Sequence, residues 1–339
     1  MTNRKIVAVA GGSGALGSLI AQELNQLGVG VVILARRGKK GPAPPPQIVM
    51  PEVREVDYDS VDDMAAHLRD VDVVVSALVG LDDAMVGAQG RLVRAAQSAG
   101  VRKFVPSDFS IDFRDVPPGD NRNLATRREF FERFEDVPIR KTSVLNGAFS
   151  GMLTGVAPFV LFRARRILCW GDPGQKMDWT AIEDVARYTA HAAIDEDSPR
   201  FLRIAGDRMS ASDLSTTMSD LTGVEHRVLR PPGGLDVLRA LILVTRFFVP
   251  GRRELYPPWQ GMQYMHNMYS GVAAFDAVDN ERYPVEFRSV KDILDEHLRG
   301  TEKSKNKSGA VAAFYVPLAG ILVAISAYFW FRNGSISLP

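Results

Sequence analysis

The stretch Ile6-Val7-Ala8-Val9-Ala10-Gly11-Gly12-Ser13-Gly14-Ala15-Leu16-Gly17 lies near the start of the 339-residue chain and predicts its fold. Five short apolar residues form a candidate buried strand, and the glycines that follow predict a tight turn. Apolar residues then recur at helical spacing from Leu19 to Leu27, and Gly28 suits a helix C-terminus. A strand, a glycine turn and a helix in this order cradle the pyrophosphate of a dinucleotide, because backbone N–H groups and the helix N-terminus face its negative charge. The alternative is an ordinary strand–turn–helix junction.

Length and composition restrict the class of protein. A chain of 339 residues can form two domains, or one nucleotide-binding domain with an appended lobe. The 41 basic residues nearly balance the 40 acidic ones, so no nucleic-acid partner is expected. Cys169 is the only cysteine, which excludes an intramolecular disulfide. The five histidines are scattered without ligand spacing, so no metal site is predicted.

The segment from Ala310 to Trp330 carries no charged residue. As a helix it would span roughly 31 Å, which is enough to cross a bilayer core. Tyr328 and Trp330 suit an interfacial aromatic belt, and basic residues concentrate on the N-terminal side. The pattern predicts a basic linker over 299–309, a transmembrane helix over 310–331 and a short tail over 332–339. The predicted localisation is a membrane, reached through this single-pass anchor, with the main domain facing the cytosol. A buried core helix is the alternative.

The residue after the second predicted strand, Val29 to Ala35, indicates which dinucleotide binds. In a site that prefers NAD, an acidic residue near this point holds the ribose hydroxyls, whereas a basic residue suits the 2′-phosphate of NADP. Arg36 occupies this position, and its planar guanidinium can stack on adenine and bind phosphate. The predicted cofactor is therefore NADP(H). A solvated loop charge is the alternative role of Arg36.

The next strands bring further candidates to the same edge of the sheet. The fourth predicted strand, Val71 to Val79, contains Ser76, Ala77 and Leu78. The fifth, Arg102 to Pro106, leads into Ser107-Asp108-Phe109. Ligands bind at the carboxyl ends of such strands, so Ser76, Ala77 and Leu78 should lie beside the cofactor. Continued alternation of strands and helices predicts an α/β fold with a Rossmann-type doubly wound parallel sheet.

Four segments together resemble one family. They are the glycine run, Lys103 to Phe109, Asn146 to Phe149, and Trp179 to Ala186, in that order. The chain resembles the NmrA-like family of atypical short-chain dehydrogenases, which includes the isoflavone-reductase-like enzymes, over roughly residues 4–298. The resemblance implies an NADP(H)-preferring Rossmann domain over 4–150 and a smaller α/β lobe over 151–298 that closes a substrate cleft.

The resemblance also implies a set of cofactor contacts, and Ser107 and Phe109 would border the nicotinamide. The predicted cofactor-binding residues are Gly11, Gly12, Ser13, Gly14, Ala15, Leu16, Gly17, Arg36, Ser76, Ala77, Leu78, Ser107 and Phe109.

Reduction also requires a proton donor at the substrate oxygen. Ordinary short-chain dehydrogenases use a Tyr-x-x-x-Lys pair, but none of the eight tyrosines has a lysine four residues later. The isoflavone-reductase-like enzymes place a lysine in the helix after the fifth strand, and by the resemblance Arg127 occupies that position. Arginine stays protonated, so it can hold an anion but is a poor proton shuttle. Ser107 and Arg127 are the predicted catalytic residues.

The predicted substrate residues come from two parts of the chain. Asn146 and Phe149 follow the sixth predicted strand, Ile139 to Leu145. Tyr264 and His266 belong to a segment rich in aromatic residues and methionine. Such a segment either lines an apolar cleft or is ordinary core.

The predicted function is that of a membrane-anchored, NADP(H)-dependent reductase of a small apolar or aromatic carbonyl or enone substrate. The alternative is a non-catalytic NADP(H)-sensing regulator or scaffold that binds a protein partner, as the resemblance to NmrA-type regulators implies. The lack of the tyrosine–lysine pair favours the second role, and the complete cofactor edge fits both.

Overall fold

The computed structural model describes residues 4–38 and 52–305. The strands are β1 Ile6–Ala10, β2 Gly30–Arg36, β3 Glu52–Val56, β4 Val73–Ser76, β5 Lys103–Val105, β6 Arg140–Lys141, β7 Ser143–Leu145, β8 Ala148–Phe149, β9 Val160–Leu161, β10 Arg166–Leu168, β11 Met177–Thr180, β12 Phe201–Arg203, β13 Asp207–Met209 and β14 Arg227–Leu229. The helices are α1 Ala15–Gln26, α2 Val61–Ala66, α3 Gln89–Ser98, α4 Arg122–Phe134, α5 Ile182–Ile194, α6 Ala211–Thr222, α7 Gly234–Phe248, α8 Pro258–Tyr269 and α9 Val290–Lys305, and a π-helical turn, Asp83–Ala88, precedes α3.

The central sheet has the strand order β3-β2-β1-β4-β5-β6, and every pair in it is parallel. Val7 of β1 stands between Val31 of β2 and Val73 of β4. After one residue β6 continues as β7, which pairs in parallel with β12. The reversal of strand order between β1 and β4 opens a crevice at the carboxyl edge, where dinucleotides bind in this topology. The prediction of a Rossmann-type doubly wound sheet is confirmed.

Successive side chains of β1 point to opposite faces of the sheet, and all of them are apolar, which explains why helices cover both faces. Val7 and Val9 point to a core that contains Ile20 of α1 and Val185 of α5. Ala8 and Ala10 point to the opposite core, which includes apolar residues of α2, α3 and α4. Successive side chains of a strand point to opposite faces, so a fully apolar strand is typical of a sheet buried on both sides.

A second lobe packs around its own core. Two three-stranded sheets, β14-β10-β9 and β13-β11-β8, contribute to it together with α6 to α9. Its largest buried side chains include Trp179, Phe159 and Trp259, and the rings of Phe159 and Trp179 meet edge to face at 5.2 Å. The predicted division of the chain at residue 150 stays a prediction. However, α5 and β12, which the sequence suggested for the second lobe, pack with the central sheet.

Strand β4 is shorter than the predicted Val71–Val79, for a reason that concerns the site. The Ala77 N–H still donates to the Ala10 carbonyl at 2.8 Å, but the chain then leaves the sheet. The Leu78 carbonyl instead accepts a hydrogen bond from the Ser107 hydroxyl at 2.7 Å. Periodicity alone could not show where this apolar run leaves the sheet, because the departure depends on a neighbouring strand.

The prediction of a membrane anchor, in both the fold class and the localisation, is corrected. Within residues 4–38 and 52–305 no helix is long and apolar enough to cross a membrane. The predicted span, 310–331, lies outside the residues that the structure describes, as do the predicted tail and part of the linker. The described residues support a Rossmann-like α/β fold and give no support to the anchored localisation.

One ion-pair cluster joins the segment before α9 to the end of α5. The Asp195 carboxylate accepts hydrogen bonds from Arg282 Nη2 and from the Tyr283 hydroxyl, both at 2.8 Å. Burial alone would raise the pKa of Asp195, but these two donors outweigh it and lower the pKa to about 2. A lowered carboxyl pKa stabilises the fold above the unfolded value of about 4, and this contribution is lost as the pH falls toward 2.

Asp195→Asn is therefore expected to lower the free energy of unfolding by about 1–2 kcal/mol at pH 7 and to flatten the loss of stability between about pH 4 and pH 2. Urea unfolding across that pH range measures both effects. Asp197→Asn is the matched control, because that carboxyl is exposed and only two residues away. Equal stability losses in the two variants would contradict the role of Asp195.

Candidate cofactor and substrate site

The glycine turn after β1 fits so tightly that a side chain at Gly11 or Gly17 would collide with backbone atoms. Gly11 has φ +77°, and a Cβ atom there would lie 2.5 Å from the Ala77 carbonyl oxygen. A Cβ on Gly17 would lie 2.2 Å from the Gly11 carbonyl oxygen, and one on Gly12 would lie 2.5 Å from Ile33 Cδ1. Glycine is required where two backbone segments come this close. The turn therefore brings the first turn of α1 against the carboxyl ends of β1 and β4.

The N-terminus of α1 fits an anion. Gly14 is the N-cap residue, provides no side-chain cap, and is followed by a first turn without an acidic residue. Ser13, Gly14 and Ala15 are exposed. Uncapped N–H groups at a helix N-terminus, together with the helix dipole, stabilise a phosphate group. The residues present therefore fit the pyrophosphate of a dinucleotide, as the sequence predicted.

The structure brings four of the predicted residues into one apolar cluster. Phe109 is buried in the core on the α1 side of the sheet, and Leu16, Ala77 and Phe149 are partly buried against the same core. These residues come from α1, from the loops after β4 and β5, and from β8. Partly buried apolar side chains at the crevice can hold a flat aromatic ring such as nicotinamide.

Arg36 ends β2 with its side chain exposed, and its guanidinium carbon lies 6.0 Å from the centre of the Tyr58 ring. The neighbouring Arg37 is engaged elsewhere, since its Nη2 donates to Asp63 Oδ1 at 2.6 Å. Of these two arginines, Arg36 therefore has the side chain available for a 2′-phosphate. Lys39 and Lys40 lie outside the described residues.

Ser107 connects two loops at the carboxyl edge. Its hydroxyl donates to the Leu78 carbonyl oxygen at 2.7 Å, and its backbone N–H donates to Gln89 Oε1 at 2.8 Å. The side chain is thus placed beside the predicted cofactor loop, and its proton is committed to a backbone acceptor. Its catalytic role stays a prediction. The hydroxyl of Ser76 is fully buried and has no hydrogen-bond partner among the described residues.

Further buried polar atoms at this edge lack partners among the described residues, namely Asp108 Oδ1, Asn146 Oδ1, Ser150 Oγ and Arg127 Nε. Asp108 accepts from the Ser143 hydroxyl at 2.6 Å through its other oxygen. Burial raises the pKa of Asp108, and the Arg127 guanidinium is among the charges that oppose this shift. Buried polar groups are rarely left unpaired, so this arrangement suits a bound polar ligand or water.

Helix α8 docks on the first turn of α4 through buried amides. Gln260 Nε2 donates to Asn121 Oδ1 at 2.8 Å, and Asn121 Nδ2 donates to Asn267 Oδ1 at 3.0 Å. Gln263 accepts from a backbone N–H of that turn at 3.2 Å. Tyr264 lies on the same helical stripe as these three α8 residues and therefore faces α4. The aromatic stretch is thus partly core and partly a surface toward the site.

The two predicted residues of α8 have different surroundings. Tyr264 is partly buried, and the groups that face its phenol are Arg127, Tyr256, Asn123 and Arg122. His266 instead faces Asp120 and two residues of α7. Burial lowers the pKa of His266. The spacing of two residues turns these side chains to different sides of a helix, so only Tyr264 points toward Arg127.

Sequence reasoning missed two features of the site. Asp108 was predicted only as part of a motif, but the structure buries its carboxyl just after the end of β5. The Thr126 hydroxyl donates to Asp82 Oδ1 at 2.7 Å and ties α4 to the loop after β4. No signal in the sequence could identify that contact. Among the described residues there is no cluster that could hold a metal ion.

The fold and this site define a Rossmann-type, dinucleotide-binding protein. Residues 3–286 match the model of the NmrA-like family, and the chain belongs to that family. The predicted family resemblance is confirmed.

A curated relative, the oxidoreductase swnN of Metarhizium robertsii, is 28% identical over 259 residues, which cover 66% of this chain and 75% of that protein. A solved structure named AtPrR2 with NADP+ and (+)pinoresinol has a TM-score of 0.69 at 20% identity, with 87% of this chain and 99% of that chain covered. The leucoanthocyanidin reductase–NADPH complex from Vitis vinifera has a TM-score of 0.70 at 19% identity and the same coverage. At this identity the two structures show a shared fold. Both of those proteins bind the phosphorylated cofactor, in agreement with the predicted NADP(H).

Proposed function

We propose that this protein is an NADP(H)-dependent reductase of a small apolar or aromatic substrate that carries a carbonyl or an enone. The observation that carries the proposal is the composition of the crevice. The uncapped N-terminus of α1 and the Arg36 side chain can bind the phosphates of the cofactor. Next to them lie the apolar cluster of Leu16, Ala77, Phe109 and Phe149 and the buried polar atoms that have no partner among the described residues. A redox cofactor above a mainly apolar cleft with few polar groups suits an apolar substrate with one reactive oxygen.

The residues of the chain have separate tasks in such a reaction. When bound, NADPH would supply a hydride to the substrate carbon. Phe109 and Phe149 exclude water from the reacting atoms, and Asn146 can orient the substrate oxygen through its buried amide. Arg127 stays positively charged and stabilises negative charge that develops on oxygen during the transfer.

The alternative is an NADP(H)-sensing regulator that does not turn over a substrate. The hydrogen bond from the Ser107 hydroxyl to the Leu78 carbonyl favours this alternative, because the Ser107 proton is then not available to a substrate. The permanent charge of Arg127 favours it as well, since arginine does not release its proton. Both proposals use the same cofactor crevice.

The test is to incubate the purified full chain with NADPH and a panel of aromatic ketones and cyclic and aromatic enones, and to follow NADPH consumption. Calorimetry with NADPH and NADH runs in parallel. Under the reductase proposal at least one member of the panel is reduced with stoichiometric oxidation of NADPH. Tight binding of NADPH without turnover of any member would reject the reductase and support the sensor.

A further inference from the structure

We infer that Tyr264 is the proton donor to the substrate oxygen and that Arg127 is the positioning residue that holds its phenol. The inference rests on the proposed reductase function and assigns the proton donor that the missing Tyr-x-x-x-Lys pair would otherwise supply. It stands on three observations, which concern the docking of α8, the surroundings of Arg127, and the link from Arg127 to the cofactor edge.

The docking of α8 fixes the direction in which Tyr264 points. Gln260 and Asn267 are fully buried, and both bind the N-cap residue of α4, Asn121, through their amides. Tyr264 lies four residues after the first and three before the second, so it is on the same stripe. The rotation of α8 is therefore set by two side-chain hydrogen bonds on either side of the phenol.

Arg127 lies opposite this phenol on α4. Its Nη1 donates to the carbonyl of Asn123, one turn earlier, at 3.1 Å, and Asn123 itself faces the Tyr264 phenol. The Nε of Arg127 is buried and has no hydrogen-bond partner in the part of the chain that the structure describes. A guanidinium whose Nε–H is buried and unsatisfied is suited to hold an oxygen that gains negative charge.

The charge of the same guanidinium also acts on the cofactor edge. Arg127 is one of the charges that act on Asp108, which follows Ser107 at the carboxyl end of β5. The neighbouring Thr126 is bonded to Asp82 in the loop after β4, so this part of α4 is fastened to the crevice. Arg127 of α4 thus lies near this edge of the sheet, and Tyr264 faces it from α8 of the second lobe.

Tyr264 is in the protonation state that a donor requires. Burial raises the pKa of its phenol, and the positive charge of Arg127 partly opposes this shift. The phenol is therefore protonated at neutral pH. As the carbonyl carbon accepts a hydride, the electron pair of the C=O bond moves to oxygen and the Tyr264 O–H bond breaks to deliver its proton there. The phenolate that remains is held by Arg127 until a proton from water restores it.

The kinetic test compares wild-type protein with Tyr264→Phe, using a substrate that the wild type reduces. A reduction of kcat by about 100-fold or more is expected, with unchanged NADPH affinity, because only the hydroxyl is removed. Tyr283→Phe is the matched control, since it removes a phenol hydroxyl that is bonded to Asp195 outside the site and should leave kcat unchanged. If Tyr264→Phe retains the wild-type kcat while the wild type is active, the inference is wrong and the reductase proposal stands. If the wild type reduces no substrate, both are wrong.

A second measurement needs neither cofactor nor turnover. Ultraviolet difference titration identifies the Tyr264 phenol as the transition that is lost in Tyr264→Phe. Arg127→Gln should raise the pKa of this phenol, because a neighbouring positive charge is removed, while Arg127→Lys should largely restore it. Arg122 and Tyr256 also face the phenol and are unchanged in both variants. A phenol pKa that is the same in wild type and Arg127→Gln would overturn the assignment of Arg127.

Discussion

Gly11→Ala is expected to lower NADPH affinity by about 100-fold and the free energy of unfolding by about 3 kcal/mol. Two costs add at this position. An L-residue at φ +77° is strained, and the new Cβ would lie 2.5 Å from the Ala77 carbonyl oxygen. Relief of that contact requires the glycine turn to move away from β4, which displaces the N–H groups that face the pyrophosphate.

Gly28→Ala separates the two costs. Gly28 has φ +75°, but a Cβ there meets nothing within 4 Å, so only the backbone strain of about 1 kcal/mol should appear and NADPH affinity should be unchanged. Calorimetry with NADPH and urea unfolding measure both quantities on both variants. Wild-type NADPH affinity in Gly11→Ala would show that the turn does not hold the cofactor.

Arg36→Glu is expected to weaken NADPH binding by about 100-fold and to change NADH binding little. A charge-assisted hydrogen bond to phosphate contributes about 1.5–3 kcal/mol, and a glutamate adds repulsion from the 2′-phosphate. NADH lacks that phosphate, so its affinity should change little in this variant. The ratio of the two dissociation constants is the quantity to measure.

Arg37→Glu is the matched control for this measurement. Arg37 is the next residue, but its guanidinium is bonded to Asp63 at 2.6 Å. The control variant should lose some stability and keep its preference for NADPH. The role of Arg36 would be refuted by an equal loss of both cofactors in Arg36→Glu, or by an equal loss of NADPH in the control.

Much of the cofactor-binding part of the site could be predicted, because the residues that form it are close together in the sequence. The strand, the glycine turn and the start of the helix occupy twelve consecutive residues. The glycines are needed because of contacts within that stretch or with neighbouring strands and their ends. Alternation of buried strands and helices then predicted the sheet. Hydropathy also predicted an anchor over 310–331, which lies outside the described residues, and no helix within the described residues could cross a membrane.

The arrangement of the candidate catalytic residues could not be predicted in the same way, because these residues come from segments that are distant in the sequence. Arg127 follows from a family resemblance, but its relation to Tyr264 depends on how α8 is rotated on α4. That rotation is set by buried amides, including Asn121, Gln260 and Asn267. Asparagine and glutamine residues at these positions are compatible with an exposed surface, with a helix cap and with a buried core. His266, two residues from Tyr264, was an equally reasonable candidate until the helix orientation separated them.

The dinucleotide turn, the parallel sheet and the basic residue at the end of β2 could all be predicted from the amino-acid order, because each depends on neighbours along the chain or on strand periodicity. Which polar groups meet at the crevice depends instead on how remote segments pack. The tertiary structure committed the Ser107 proton to the Leu78 carbonyl, left Arg127 Nε buried without a partner among the described residues, and turned Tyr264 toward it. The physical reason is that hydrogen bonds and burial between remote segments depend on packing angles, which no local pattern encodes.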